Sequence, residues 1–245
     1  MLVIAHVTDT HFGDSVREPA ARNAAVMDHL LAMDPRPDVL VVSGDVADHG
    51  LPEEYVAARA WLDRWPGVLA VCPGNHDVRA AFVAGLGIET RTVVEVAGVR
   101  FVLLDSLVDA VDGQRIDPGE LGEDQLDWLD QRLAEDRRPT FVVLHHPPTT
   151  ISLELMDPIR LGDGEALAAV LDRHPHVVAT LVGHAHTMAT TLFAGRPLLI
   201  GGGVVSTVTA DAEAVPTLWY DAPPSFALHV VEDGRVTTHW RALPG

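Results

Sequence analysis

The chain sets carboxylate, imidazole and amide side chains directly behind a succession of short apolar runs, always in one order. The segments are Asp9-Thr10-His11, Gly44-Asp45, Gly74-Asn75-His76-Asp77, His145-His146-Pro147-Pro148 and Gly183-His184-Ala185-His186. The runs LVIAHVT, DVLVVS, TFVVLH and VVATLV that lead into Asp9, Asp45, His145 and His184 each read as a β-strand. Donors delivered from the ends of successive strands fit an α/β fold whose site lies beyond the carboxyl ends of its sheet. A lone Asp-x-His or His-x-His says little. The ordered set from residue 9 to residue 186 supplies enough O and N donors for two cations, with positions left open for water.

Strand-like and helix-like segments alternate through most of the chain. ARNAAVMDHLLAMD carries Ala25, Leu30 and Met33 at helical spacing and is stopped by Pro35 and Pro37. LPEEYVAARAWLDRW has Pro52 in its first turn, acidic residues early and Arg59 and Arg64 late, the order the helix dipole favours. PGVLAVC supplies a further strand. LGEDQLDWLDQRLAED, with Leu126, Leu129 and Leu133 on one stripe, and GEALAAVLDRH supply two more helices. Turns at Ala97-Gly98, Ala194-Gly195 and Asp233-Gly234 mark hairpins, so the sheets are mixed. The expected fold class is α/β: a four-layer α/β/β/α sandwich of two mixed sheets with a dinuclear metal site at the strand C-terminal ends. Residues 204–224, with Pro216, Pro223 and Pro224, read as an ordered connection inside a single domain, 1–245.

Charge narrows the partners. Thirty-five acidic residues face 17 basic ones, all arginine, for a formal charge of −18. Such a surface repels polyanions, and aromatic content of 5% leaves little for base stacking, so a nucleic-acid polymer is not an expected partner. Local cation charge still accommodates a small phosphate ester. No apolar stretch approaches the roughly 20 residues of a membrane span, and the opening MLVIAHVTDTH reads as a core strand rather than a signal peptide. The single Cys72 fits a reducing, cytoplasmic setting and leaves sulfur out of the donor set, which suits Fe, Mn, Zn or Co.

With these residues in view, the pattern resembles the calcineurin-like metallophosphoesterase superfamily, whose fingerprint is D-x-H, GD, GNHD, H and GHxH. Within it the chain is most like the branch of bacterial glycerophosphodiesterases and class III cyclic nucleotide phosphodiesterases, through MLVIAHVTDTHF, RPDVLVVSGDVAD, LPEEYVAAR, PGNHD, HHPP and MDPI at Met156 to Ile159. The resemblance implies that Asp9, His11, Asp45 and His186 hold one divalent or trivalent ion, and that Asp45, Asn75, His145 and His184 hold the other, with Asp45 as bridge. It implies that His76 contacts the phosphate and helps the leaving oxygen, with Asp77 orienting His76 or a ligand. The implied reaction is attack of metal-activated hydroxide on a small phosphodiester, such as 3′,5′-cyclic AMP or a glycerophosphodiester. The resemblance leaves room for a homodimer.

Competing readings are a phosphomonoesterase, a nuclease of the same superfamily, and a metal-stabilised scaffold without activity. Walls for specificity are expected from Phe12 to Arg17, Val78 to Ala81 and His146 to Arg160, with Arg17, Arg79 and Arg160 as the charged donors. The isolated His6, His29, His49, His174, His176, His229 and His239 read as structural, as do Trp61, Trp65 and Trp128 within helices. Gly201 to Gly203 read as a bend near the site. His146 reads equally as a substrate contact or as packing under Pro147.

Overall fold

Period-two alternation sorts the strand side chains between a shared interior and two outer faces. A computed structural model describes residues 1–16, 18–213 and 217–243. Arg17 and Pro216, named above, lie outside the described residues. In chain order the elements are β1 (Leu2–Val7), α1 (Pro19–Leu31), β2 (Val39–Ser43), α2 (Pro52–Leu62), β3 (Val68–Cys72), α3 (Arg79–Leu86), β4 (Thr92–Val96) and β5 (Val99–Leu103). There follow α4 (Gly122–Glu135), β6 (Thr140–Val143), α5 (Gly164–Asp172), β7 (Val177–Val182), β8 (Ala189–Phe193) and β9 (Arg196–Ile200). The tail holds β10 (Thr207–Val208), β11 (Leu218–Trp219), β12 (Ser225–Glu232) and β13 (Arg235–Ala242).

One sheet runs β13-β12-β1-β2-β3 and the other β4-β5-β6-β7-β9-β8; β10 and β11 form a small ribbon apart. Both large sheets are mixed: β1, β2 and β3 pair in parallel, as do β5, β6, β7 and β9, while β12 and β4 join antiparallel. Between the sheets lie Ile4, Val39, Val41 and Cys72 from one and Phe101, Leu103, Phe141 and Leu181 from the other. Residues of opposite parity, such as Val7, Leu40 and Val42, pack under α1, α2 and α3. Val102, Val142 and Val182 pack under α4 and α5. The expected α/β/β/α layering is thereby met. The three hairpins turn where expected, with φ of 50° and 80° at Ala97-Gly98, 47° and 70° at Ala194-Gly195, and 50° and 73° at Asp233-Gly234. These are two-residue turns of the kind that matches strand twist.

Some details differ from the sequence reading. The buried stripe of α1 is Asn23, Val26, Met27 and Leu30; Ala25 faces out and Met33 lies beyond the helix end. The register is set by Asn23, whose amide donates to the Thr10 carbonyl at 2.8 Å and so pulls a polar residue into the core face. The helix α3 has no counterpart in that reading. Its eight residues, with Phe82 and Leu86 buried, are too few to establish a period, and Phe82 meets Tyr55 of α2 edge-on.

Candidate functional site

The parity that carries Val39, Val41 and Ser43 inward carries on to Asp45, and that of Phe141 and Val143 carries on to His145. Beyond the strands regular geometry gives way. Asp9, His11, Asp45, His184 and His186 all adopt positive φ, at 55°, 42°, 48°, 67° and 49°. Non-glycine residues rarely adopt this conformation, and it clusters at functional sites where the surroundings over-determine it. Asp9 and His11 therefore do not share a face of an extended segment. The β1–β2 pairing curls on past the strands instead: Asp9 N–H donates to the Gly44 carbonyl at 3.2 Å, His11 N–H to Asp45 at 3.0 Å and Phe12 N–H to Val46 at 2.9 Å. This ladder of curled backbone aims both side chains at one point. Gly74 makes close approach feasible, since a Cβ there would stand 2.2 Å from Asp45 Oδ1.

Two donor groups meet at Asp45. On one side, Asp9, His11, Asp45 and His186 bring a ligand atom each to within 4.8 Å of one another. His11 Nε2 lies 3.2 Å from His186 Nε2 and 3.6 Å from Asp45 Oδ2, and His186 Nε2 lies 3.2 Å from Asp9 Oδ1. On the other side, His145 Nε2 is 3.3 Å from Asp45 Oδ1 and 3.2 Å from Asn75 Oδ1, which is 3.0 Å from His184 Nδ1. Each Asp45 oxygen thus faces its own group.

Outer partners fix the imidazoles. His11 Nδ1 donates to Asp48 Oδ1 at 2.8 Å, and His145 Nδ1 donates to the Ser43 carbonyl at 2.8 Å. Their Nε2 lone pairs are left to point inward. His186 Nδ1 meets Ser206 Oγ at 2.8 Å. Facing lone pairs and carboxylates repel one another unless a cation lies between them. Asp9 Oδ1 and Oδ2 are buried with no hydrogen-bond partner. Orphaned buried oxygens, in a donor set that is all O and N, fit a dinuclear metal site.

A family model described as calcineurin-like phosphoesterase matches residues 2–188. The chain belongs to that family. Among its relatives, a probable cyclic nucleotide phosphodiesterase of Synechococcus sp. is 35% identical, over 98% of this chain and 92% of the relative. The glycerophosphodiester phosphodiesterase GpdQ of Enterobacter lignolyticus is 31% identical, over 93% of this chain and 86% of its own. Among solved structures, a dimetal phosphatase from Danio rerio shares the fold with a TM-score of 0.75 at 17% identity, over 98% of this chain and 96% of that one.

Around this phosphoesterase centre the second rank of residues differs from the sequence reading. His76 N–H donates to Asp45 Oδ1 at 2.9 Å, and its ring Nδ1 donates to the Asp48 carbonyl at 2.8 Å, which turns Nε2 toward the donors, 4.0 Å from Asp45 Oδ2. Burial alone would lower the His76 pKa, but Asp45 and Asp48 outweigh it and raise it. The partners of the Asp77 carboxylate lie on the loops of Asp45 and Asn75 rather than on the His76 ring. That carboxylate accepts N–H groups of Val46, Ala47 and Gly74 and the Tyr55 hydroxyl, tying the Asp45 and Asn75 loops together. Burial, then Asp45, push its carboxyl up to about 6. His146 is buried and both ring nitrogens are used: Nε2 donates to the Asp117 carbonyl at 3.0 Å and Nδ1 meets Ser106 Oγ at 2.8 Å. Its ring thus joins the Asp117 and Ser106 loops.

The cleft over the donors, about 320 Å³, is walled by Arg115, Asp117, Leu155, Met156, Ile159 and Tyr220 among others. Of the expected wall, Leu155, Met156 and Ile159 line this cleft. Phe12 does not: it is buried against Trp61. Arg79 is committed to Asp105 and Asp109, and Arg160 lines a different cleft. The sequence reading missed Asp48, Ser206, Arg115 and Tyr220. Asp48 alone had a local signal, standing three residues after Asp45 in SGDVAD; the others come from irregular loops.

Beneath the centre a chain of hydrogen bonds crosses the first sheet. Thr238 Oγ1 meets His229 Nδ1 at 2.9 Å, His229 Nε2 meets His6 Nδ1 at 3.2 Å, and His6 Nε2 meets Ser43 Oγ at 2.8 Å. His6 and His229 are structural, as expected, yet their burial has a consequence for stability. Burial holds His6 down at about 4 and His146 at about 3, from an ordinary 6.5. As pH falls below 6.5 the unfolded chain takes up these protons before the folded one, so stability present above 6.5 drains away toward pH 4. For His6 the loss is on the order of 3 kcal/mol. Thermal unfolding between pH 7.5 and 5 is expected to show a falling midpoint in the wild type and a shallower fall in His6→Gln. Equal slopes would mean that His6 is not held neutral.

Proposed function

We infer that the protein is a dinuclear-metal phosphodiesterase acting on small diesters, with 3′,5′-cyclic nucleotides and glycerophosphodiesters as the candidate classes. The observation that carries the hydrolytic reading is Asp45, whose two oxygens each face a separate donor group beside His76. In this reading Asp9, His11, Asp45 and His186 hold one ion, and Asp45, Asn75, His145 and His184 the other. O and N donors suit Fe, Mn, Zn or Co. When bound, the ion pair supplies an acidified water and withdraws charge from the phosphoryl oxygens.

The chain's own residues do the rest. Asp48 holds His11 and His76 in fixed orientations, and it keeps its charge beside His76 when cations take up that of Asp45. His76 is thereby poised to give a proton to the departing oxygen. Asn75 is steadied by its amide, which donates to Asp117 Oδ1 at 3.4 Å. Asp77 fixes the loops that carry Asp45 and Asn75. The same reading takes residues 1–245 as one metallophosphoesterase domain, because both sheets enclose a single shared interior. No helix of the described residues is long and apolar enough to cross a membrane. A cytoplasmic setting rests on the lone, buried Cys72.

The diester class is favoured by the scarcity of cations: among the described residues lining the cleft, Arg115 is the one guanidinium. A monoester dianion needs more neutralisation than a diester monoanion. For the Mn-loaded enzyme, kcat/KM for bis-p-nitrophenyl phosphate is expected to exceed that for p-nitrophenyl phosphate by about tenfold, or about 1.4 kcal/mol of transition-state stabilisation. A preference for the monoester would move the protein to the phosphatases. The relatives, named for cyclic nucleotide and glycerophosphodiester substrates, support the two candidate classes.

A further inference from the structure

The cleft over the donors has two unlike sides. Asn75, His76 and Arg115 make one side polar, and all three also line a neighbouring cleft of about 370 Å³. The other side is apolar. It is built from Leu155, Met156 and Ile159 of the loop between β6 and α5, and from Val208, Leu218 and Tyr220 on or just after the β10–β11 ribbon. None of these six lines the neighbouring cleft. Among the described residues, neither segment puts a charged side chain into the cleft.

This apolar side is a built wall. Met156 and Val208 are buried in the core beneath α4 and α5, and Ile159 and Leu218 pack against that core. Val208 N–H donates to the His186 carbonyl at 3.2 Å, which fastens the ribbon to a donor-bearing loop. Glu154 N–H donates to Asp211 Oδ2 at 3.3 Å, which joins the two halves of the wall. At its mouth the cover stops: Leu155 is 49% exposed and Tyr220 45%. A contiguous apolar surface left in water beside a charged centre gains free energy from any apolar group that covers it.

We propose that this wall seats an apolar ester arm, and that the preferred substrate is an open phosphodiester with an alkyl chain on that arm. The proposal rests on the phosphodiesterase reading above and deepens it. Phosphorus held over the donors carries two ester oxygens. In an open diester these bear separate arms, and the arm turned away from His76 comes against Leu155, Ile159 and Leu218. A cyclic nucleotide has both ester oxygens on one nucleoside and offers no separate arm. A glycerol or sugar arm would give up water around its hydroxyls and meet, among the described residues of this wall, one side-chain hydroxyl, that of Tyr220. An alkyl arm gives up no polar partner and covers the exposed side chains, each buried methylene adding to affinity. The second, polar arm of such a diester is left to the side of Asn75 and Arg115.

The test uses Mn-loaded protein and the methyl, butyl and hexyl esters of p-nitrophenyl phosphate, which share one leaving group. In each, the water oxygen bonds to phosphorus, the P–O bond to p-nitrophenolate breaks, the water protons pass to solvent, and the alkyl group stays on the phosphate. From methyl to hexyl, kcat/KM is expected to rise at least about tenfold in wild type, and at most about threefold in Leu155→Ser and in Leu218→Ser. The ratio within each protein cancels any general loss of activity, and elemental analysis shows whether each variant loads its ions. A wild-type ratio near one, or ratios unchanged in both variants, would overturn the assignment. Calorimetric titration of methylphosphonate and hexylphosphonate into the same proteins reads the wall without chemistry. Were hexylphosphonate bound about tenfold more tightly by wild type alone while no diester was hydrolysed, the diesterase reading would fail and the wall assignment would stand. Hydrolysis with a flat series would do the reverse.

Discussion

Asp45→Ala is expected to reduce turnover of any phosphoester by more than about 10⁴-fold and to leave fewer than two metal ions per chain. A side chain that serves one ion could be lost with the other ion kept. Asp45 is different, because Oδ2 faces His11 at 3.6 Å and Oδ1 faces His145 at 3.3 Å. Its removal strips a negative charge from both donor groups at once. Carboxylate loss also leaves the His76 N–H, now 2.9 Å from Oδ1, without its acceptor. The catalytic contribution of a two-metal centre, activation of water together with stabilisation of the attacking and leaving oxygens, depends on both ions being held. Elemental analysis of purified protein, beside activity and a far-ultraviolet dichroism spectrum, is the check. Two ions per chain in Asp45→Ala would remove Asp45 from its bridging role.

His76→Ala is expected to keep both ions and lose about 10²- to 10⁴-fold in kcat, the usual range for a positioned proton donor. The loss should depend on the leaving group. A p-nitrophenolate departs without help, so bis-p-nitrophenyl phosphate should suffer least. An alkoxide such as O3′ of cyclic AMP needs its proton, and there the full loss is expected. Since Asp48 keeps its charge beside His76 when the ions are bound, the wild-type rate on alkoxide esters should decline at alkaline pH as that proton is lost. The decline should be absent from His76→Ala. Equal losses for both kinds of ester would assign His76 to phosphate binding alone.

How much of this was legible in the sequence follows from where regular structure ends. The strand-borne donors stood out because each follows a continuous apolar run, the mark of a strand buried on both faces, as DVLVVS before Asp45 and TFVVLH at His145. The three hairpins were legible because Ala-Gly and Asp-Gly pairs meet the positive φ of a two-residue turn. The curl at Asp9 and His11 was not, since left-handed backbone at Asp and His is dictated by long-range pairing with Gly44 and Asp45 and leaves no local mark. Adjacency left Asp77 open between orienting His76 and orienting a ligand, and only the tertiary contacts of its carboxylate with Tyr55 and the Val46 and Gly74 amides place it on the loops of Asp45 and Asn75. Arg115 and Tyr220 lie in loops whose course depends on tertiary packing, so nothing in a single sequence sets them at the cleft.

The division of the donors between the sheets has a consequence for how the molecule comes together. Residues 9 to 75 contribute from the β1, β2 and β3 side, and residues 145 to 186 from the β6 and β7 side. The first sheet is itself closed by β12, which returns to pair Leu2 with Val231. None of these pairings is local, and non-local pairing is slow because loop closure precedes its reward. The donor set is therefore complete only when two sheets built from distant stretches of chain have docked. Until then its donors are scattered imidazoles and carboxylates with little affinity for any ion. Ions that bind only the finished arrangement act as a latch on the sandwich, and each decade of free metal above the dissociation constant should raise the unfolding free energy by about 1.4 kcal/mol per site.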